Sequence, residues 1–527
     1  MILGDCRKRT VLSGGMALDA ERAATAVRII GKNANGMEQP AFSGATSMER
    51  STKHGRLRKT KIVCTIGPAT SSEERMRDLI RAGMDVVRLN FSHGLREDHR
   101  GKIRAIRRVS KEMGKEVGIL QDLGGPKIRL GNLSVRERLL TVGEQITLVA
   151  AEDSDSDLIP VNYPYLVEDV TVGERILLAD GTVELLVKDV KDHSVLCETL
   201  VGGAISSHKG VNLPSSGLRI PAFTDKDRED LKVGIEEEVD FVAMSFVRHE
   251  KDLEPVRKIL DEAPNRPMLI VKIEKAQALE RLNLILDMVD GVMVARGDLG
   301  VETPIEQVPM VQKRIIHEAR KAAKPVITAT QMLLSMVKSP RPSRAEATDV
   351  ANAILDGTDA VMLSEETATG DYPLEAVAML DRIAQATEPS VEARPFLDEP
   401  MSDVLPSTAA AISRAASWLV QDLKPAAIVA STDSGGTARL VARFRPPCPV
   451  IGLTSVPGTQ RQLNLTWGVL PALVPPMGDT DAMFDAARAW TMHYGVAKPG
   501  DRLIVTAGIP VGVRGTTNLL KVIEVDP

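Results

Sequence analysis

Between Leu269 and Gly300 two short apolar runs end in charge, L-I-V-K-I-E and G-V-M-V-A-R-G-D-L-G. Lys272 and Glu274 close the first, Arg296 and Asp298 the second. Apolar, β-rich runs bounded by turn residues read as buried strands. Residues two apart on a strand share a face, so Lys272 and Glu274 point the same way. Burying a cation and an anion at one strand end is costly unless they meet a metal or a charged ligand. A structural ion pair is the plainer reading of a single such end. It weakens because polar groups close the other strands too: Thr65, Arg88 with Asn90, Asp122, Ser245, Thr330 and Glu366.

The elements that would carry this ring are strands alternating with amphipathic helical stretches. The strand candidates are 61–66, 84–90, 117–122, 240–246, 268–274, 291–298, 325–331 and 359–366. Ser71 with Glu74, and Ser343 with Glu346, have the spacing of capping boxes that open helices. Eight strands alternating with helices predict an α/β protein built on a (β/α)8 TIM barrel, with an open doubly wound sheet as the alternative. Active sites of such barrels lie at the carboxyl ends of the strands, where the ring falls.

The barrel is expected over 58–127 and 219–390. The third strand is followed by about 90 residues rich in Val, Leu and Thr and punctuated by glycine. A structureless loop of that length is improbable, so 128–218 reads as a β-rich domain inserted at the active-site face, a lid. A Pro- and Glu-bearing stretch near residue 390 reads as a linker. Beyond it, 391–527 repeats an α/β pattern, with strands at 426–432, 449–454, 468–474, 503–508 and 519–525, and is expected to be a second, doubly wound domain. Its first strand enters S-T-D-S-G-G-T-A, a turn whose hydroxyls and N–H groups suit an anion; an ordinary glycine turn is the competing reading. Residues 1–57 show no sustained period and no apolar stretch of a signal peptide. They read as a mobile extension, and Met37 or Met48 could also start the chain.

At 527 residues the chain has room for several domains. A net charge of −5 implies no general attraction to nucleic acid or membrane, and 3% aromatics argue against a base-stacking platform. The four cysteines, Cys6, Cys64, Cys197 and Cys448, lie far apart, which suits buried thiols in a reducing compartment such as the cytoplasm. No apolar run approaches the roughly 18 residues that cross a bilayer.

Several stretches, in order, resemble the pyruvate kinase family: T-K-I-V-C-T-I-G-P-A-T, V-R-L-N-F-S-H-G, D-L-G-G-P-K-I-R, H-K-G-V-N-L-P, L-I-V-K-I-E-K, V-A-R-G-D-L-G, I-T-A-T-Q-M-L, P-R-P-S-R-A-E and L-D-G-T-D-A-V-M-L-S-E-E-T-A-T-G-D-Y-P. The match is looser in the C-terminal domain and not visible in the first 57 residues. The resemblance implies barrel, lid and C-terminal effector domain, and the reaction phosphoenolpyruvate plus ADP to pyruvate plus ATP. It implies Lys272 and Arg88 beside the transferring phosphoryl group, and Glu274 and Asp298 as ligands of magnesium or manganese. Gly297 and Asp298 would present backbone N–H groups to the substrate carboxylate, and Thr330 would position the enolate. On the nucleotide side it implies Arg129 and Lys209 at the lid hinges, Asp180 at the lid tip, and Thr65, Asn90 and His93 along one edge.

Many members also bind potassium through an Asn, a Ser, an Asp and a Thr. Asn90, Ser92 and Asp122 match, but Leu123 replaces the Thr, and Lys127 replaces a Glu that such members carry. Leucine offers no oxygen and the lysine brings its own charge, so a potassium requirement is not expected. Ser431, Thr432, Ser434, Gly436 and Thr437 match the effector-phosphate loop. Asp433 there should repel a second phosphate, so a sugar monophosphate or nucleotide effector is expected. A homotetramer is carried by resemblance. The competing functions are a catalytically silent metabolite sensor and a metal-dependent aldolase-type barrel.

Overall fold

The computed structural model describes residues 57–153, 158–214, 217–392, 396, 407–510 and 516–526. The predicted extension, apart from Leu57, and nearly all of the predicted linker lie outside them.

Eight parallel strands close into a barrel, and closure excludes the open-sheet alternative. They are β1 (Lys61–Thr65), β2 (Val86–Asn90), β3 (Gly118–Asp122), β4 (Phe241–Met244), β5 (Met268–Ile273), β6 (Gly291–Ala295), β7 (Val326–Ala329) and β8 (Ala360–Leu363), each inside its predicted window. Each strand pairs with its chain neighbours, and β1 pairs with β8. Alternation sorts their residues. Val63, Val86, Leu120, Ala243, Ile270, Met293, Ile327 and Met362 fill the barrel, with Leu465 of the C-terminal region reaching the same cluster. Ile62, Cys64, Val87, Leu89, Ile119, Val242 and Val271 pack outward against the helices. Two residues beyond Val86, Leu120, Ala243 and Ile270, on the inward face, stand Arg88, Asp122, Ser245 and Lys272. The apolar plug therefore gives way to a polar layer at the carboxyl ends.

The region after β3 forms a six-stranded sheet of Gln145–Ala150, Ile159–Val161, Arg175–Leu178, Val183–Lys191, Ser194–Val201 and Val211–Asn212. All pairings in it are antiparallel except that of Gln145–Ala150 with Ile159–Val161. Arg138–Leu140 and Gly203–Ile205 make a separate two-stranded sheet. Ile146, Leu148, Ile176, Val183, Leu185 and Cys197 give this region its own core.

The C-terminal sheet contains β9 (Ala427–Ser431), β10 (Val450–Thr454), β11 (Val469–Leu473), β12 (Arg502–Gly508) and β13 (Thr517–Glu524), in the order β11-β10-β9-β12-β13. Four strands are parallel; β13 is an antiparallel edge, a departure from a wholly parallel doubly wound sheet. The region also meets the barrel's base. Lys61 Nζ donates to the Val469 carbonyl at 2.8 Å, and Arg445 pairs with Asp359 at 3.0 Å.

Ser343 and Glu346 do form a reciprocal capping box on the helix Arg344–Asp356. The box expected at Ser71 and Glu74 does not form: Ser72 is the N-cap of Glu73–Ala82 and accepts from the Arg75 N–H. Cys64, Cys197 and Cys448 are free thiols. Among the described residues no helix is long and apolar enough to cross a membrane.

Candidate active site

Three strand ends, those of β3, β4 and β5, meet at Lys272. Its ammonium donates to Ser245 Oγ at 2.9 Å, lies 2.7 Å from Glu274 Oε1 and stands 3.6 Å from Asp122 Oδ1. Burial would lower the Lys272 pKa, but Asp122, Glu274 and Asp298 reverse that and raise it, so the group stays charged. Ser245 is fixed in turn by donating to the Leu123 carbonyl at 3.0 Å.

Arg88 is the second cation. Its Nε donates to Asp122 Oδ2 at 2.7 Å and its Nη1 to Thr65 Oγ1 at 3.1 Å. Thr65 spends its own proton on the Leu363 carbonyl. Thr65 therefore orients Arg88 and has no hydroxyl proton left for a ligand. Asp122 is buried, yet Lys272 and Arg88 pull its pKa below the usual range.

Glu274 is buried and its pKa is raised, by burial first and then by Asp298, against the pull of Lys272. Its Oε2 accepts from the Phe246 N–H at 2.8 Å. Its Oε1 is buried without an aligned hydrogen bond, despite the nearby ammonium. A buried carboxylate oxygen satisfied only by an ion pair with a lysine has room for a hard cation as well. Among the described residues no cluster of three or more His, Cys, Asp or Glu is gathered to hold a metal unaided. Two carboxylates completed by substrate oxygens and water are the usual provision for magnesium.

Asp298 lies in the first turn of the short helix Arg296–Glu302 that follows β6. The Gly297 N–H donates to Thr330 Oγ1 at 2.8 Å, and that hydroxyl donates to the Ala329 carbonyl at 2.6 Å. Thr330 holds a left-handed backbone, φ +68°, rare for a β-branched residue. Arg296 steadies it by donating to the Thr330 carbonyl at 2.7 Å while pairing with Asp349 at 2.6 Å.

At the expected potassium site, Asn90 Oδ1 accepts from the Ser92 N–H at 3.1 Å. Asp122 Oδ1 is buried and unsatisfied. The Leu123 side chain packs in the outer apolar layer. Lys127 lies within electrostatic reach of Asp122, Asp298, Lys272 and Arg129; burial and the two cations lower its pKa. His93 is exposed at the surface; the partial shielding of its ring, together with Lys127, Arg129 and Arg88 nearby, lowers its pKa.

Arg129 and Gly210 form a bridge beside Lys209, whose carbonyl accepts from the Leu130 N–H at 2.9 Å. The two lid connections thus run side by side. Asp180 sits in a left-handed turn, φ +58°, next to Gly210. Its neighbour Gly181 approaches Val301 at the barrel's rim.

Glu366 leaves the ring: it accepts from the Leu333 N–H at 3.1 Å and the Ser364 N–H at 2.7 Å, so it ties loops together. Glu365 beside it is exposed. In the C-terminal turn, Ser431, Thr432, Ser434 and Gly436 follow one another around Gly435, φ +78°. The Thr437 hydroxyl instead turns to Thr517 Oγ1 at 2.7 Å. Sequence reasoning missed Phe246, Asp349 and Asp227, which accepts from the Gly125 N–H at 3.1 Å. Only Asp227 left a signal, as the acid at the third position of a helix opened by Thr224.

A sequence model of the pyruvate kinase barrel domain matches residues 57–377, and one of the pyruvate kinase alpha/beta domain matches 410–523. The chain belongs to the pyruvate kinase family. A pyruvate kinase of Sporosarcina psychrophila is 45% identical over 470 residues, 88% of this chain and 80% of that protein. One of Staphylococcus aureus strain MRSA252 is 46% identical with the same coverage. As a pyruvate kinase family member the chain is a glycolytic phosphotransferase acting on phosphoenolpyruvate and ADP.

Proposed function

We propose that Lys272, Arg88, Glu274, Asp298 and Thr330 carry the transfer of the phosphoryl group of phosphoenolpyruvate to ADP. The observation that supports this is the meeting of Lys272 with Glu274, Asp122 and Ser245 within 2.7–3.6 Å at the barrel's carboxyl face. Both reactants are polyanions, and phosphoryl transfer is catalysed chiefly by positioning and by fixed positive charge. Lys272 and Arg88 supply that charge, and their carboxylate and hydroxyl partners hold them in place before substrate arrives. Glu274 and Asp298 would hold magnesium or manganese, which supplies charge neutralisation to phosphate and enolate oxygens. Thr330 places its hydroxyl at the mouth of the Arg296–Glu302 helix and orients the enolpyruvate for protonation. The N–H groups of that helix end receive the substrate carboxylate, Asp298 among them, and Gly297 joins by exchanging its Thr330 acceptor for the ligand.

Asp180, Arg129, Lys209, Asn90 and His93 form the nucleotide side, closed by the lid. Lys127 substitutes for potassium. The Ser431–Thr437 turn takes a sugar monophosphate or nucleotide, with Thr437 acting through β13. The active species is a cytoplasmic homotetramer, as the family suggests.

The test is pyruvate release from phosphoenolpyruvate and ADP by wild type and Lys272→Met, each checked as folded by circular dichroism. The variant's kcat should fall about a thousandfold. A fall of less than tenfold would contradict the assignment.

A further inference from the structure

Directly after Glu274 stands a second lysine, which the phosphoryl-transfer assignment does not use. The Lys275 ammonium donates to Glu302 Oε1 at 2.5 Å. Both side chains are buried, 5% and 1% exposed. Glu302 is the last residue of the short helix Arg296–Glu302, one turn beyond Asp298. Residues four apart in a helix share a face, so Asp298 and Glu302 look toward the same neighbour. That neighbour is the segment in which Glu274 and Lys275 follow one another at the end of β5. The ion pair therefore joins the strand end that carries one acid of the site to the helix that carries the other. Phe246 adds a further tie. Its N–H donates to Glu274 Oε2 at 2.8 Å, and its ring lies 5.7 Å from the Lys275 ammonium.

A buried ion pair is a poor means to stability alone, because desolvation offsets the attraction and a well-packed apolar pair does as well. This pair is not even fully satisfied: Glu302 Oε2 is buried without a hydrogen bond. What a charged hydrogen bond adds over apolar packing is a fixed distance and direction. The helix has a use for that. Its start is held toward β7 by the Gly297 N–H bond to Thr330 Oγ1 at 2.8 Å. Its end is closed by the Thr303 N–H and hydroxyl, which both donate to the Leu299 carbonyl, at 2.9 and 2.6 Å. Those last two bonds keep the turn helical but do not fix where it lies relative to β5. The bond from Lys275 does. The same turn meets the lid, since Gly181 approaches Val301.

We propose that Lys275 and Glu302 are positioning residues, whose ion pair sets the spacing of Glu274 and Asp298 before a divalent ion binds. The inference rests on the assignment of those two carboxylates as the ion's ligands. Neither Lys275 nor Glu302 touches the ion or the substrate; each acts through the acid that shares its element. A hard octahedral cation tolerates little error in ligand placement, so a site fixed in advance binds it more tightly than one that must be gathered.

Manganese titration of the full chain in the presence of phosphoenolpyruvate, followed by the free-ion electron paramagnetic resonance signal, tests this without reading turnover. The informative protein is the double variant Lys275→Met, Glu302→Leu. It removes the tie, strands no buried charge and leaves the net charge beside the site unchanged. Its manganese affinity should fall about tenfold, as is usual when the support behind a ligand is lost. Affinity is measured at a temperature where circular dichroism shows each protein folded, so a change in thermal midpoint does not enter it. If the double variant does not fold, Glu302→Gln, which keeps the side chain's shape, carries the same prediction. Wild-type affinity in the folded variant overturns the proposal and makes the pair structural, whatever its thermal midpoint. Glu274→Gln separates this from the ligand assignment. If it weakens binding and the double variant does not, the positioning role alone falls; if it does not weaken binding, the ligand assignment falls and the positioning role with it.

Discussion

Lys127 and Lys272 carry the same charge but sit in opposite electrostatic settings. Around Lys272 three carboxylates outweigh burial; around Lys127 burial and neighbouring cations outweigh Asp122 and Asp298. A monovalent cation near Asp122 would face the same balance as Lys127. On the proposed reading, the ammonium would supply one positive charge there without an ion having to bind. The wild-type enzyme should therefore keep most of its turnover with tetramethylammonium as the sole monovalent cation. Lys127→Glu should lose activity by orders of magnitude in that salt and recover with potassium. Steady-state assays in the two salts check this; a wild type that itself needs potassium would refute it. The departure at Leu123 and Lys127 was legible from residue types alone. What was not legible is that Leu123 points into the apolar layer and that only Lys127 comes near the reacting groups.

At the scale of elements, the site depends on strand alternation and on one short helix. Alternation could be read directly: Val86 and Arg88, or Ile270 and Lys272, are two apart and face inward together. The helix Arg296–Glu302 could not, because A-R-G-D-L-G continues an apolar run and reads as more strand. Its first turn is fixed from another element by the Gly297 N–H bond to Thr330, which only the β6–β7 pairing brings near. The same limit hid the turn of Thr437 toward β13 and the one-residue slip of the N-cap from Ser71 to Ser72, since either serine can cap. Thr330→Ala removes the Gly297 acceptor and, on the proposed assignment, the hydroxyl that positions the enolate. Its kcat should fall about a hundredfold, with less than a tenfold change in the phosphoenolpyruvate KM. Full activity in that variant would place the hydroxyl outside the chemistry.

At the scale of the molecule, the proposed site occupies the barrel's carboxyl face, and its base carries buried ion pairs that bear on stability. Asp85, buried near the base, accepts from the Ile62 N–H at 2.9 Å and pairs with Arg58 at 2.9 Å. Burial alone would raise its carboxyl, but Arg58, Lys115 and Lys61 hold it at about 2. A folded-state value below the unfolded one adds stability that is present above about pH 4 and is lost as pH falls toward 2, here about 2 kcal/mol. Asp85→Asn should therefore be less stable than wild type at pH 7 in urea unfolding, with the gap narrowing as pH drops from 4 to 2. A gap that does not change with pH would mean that the charge is not what matters. The eightfold alternation and the inserted and C-terminal sheets followed from the order of elements in the chain. The base contacts did not, because those that tie the C-terminal region to the barrel join distant residues, 408 positions apart for Lys61 and Val469 and 86 for Asp359 and Arg445.

The central claim is that carboxylates from two neighbouring strand ends hold one divalent ion beside Lys272 and Arg88. Manganese binding, followed by the loss of the free-ion electron paramagnetic resonance signal in the presence of phosphoenolpyruvate, tests it most directly. Wild type should bind one ion per chain, and Glu274→Gln should bind it at least tenfold more weakly. Equal affinity in the two proteins would contradict the account.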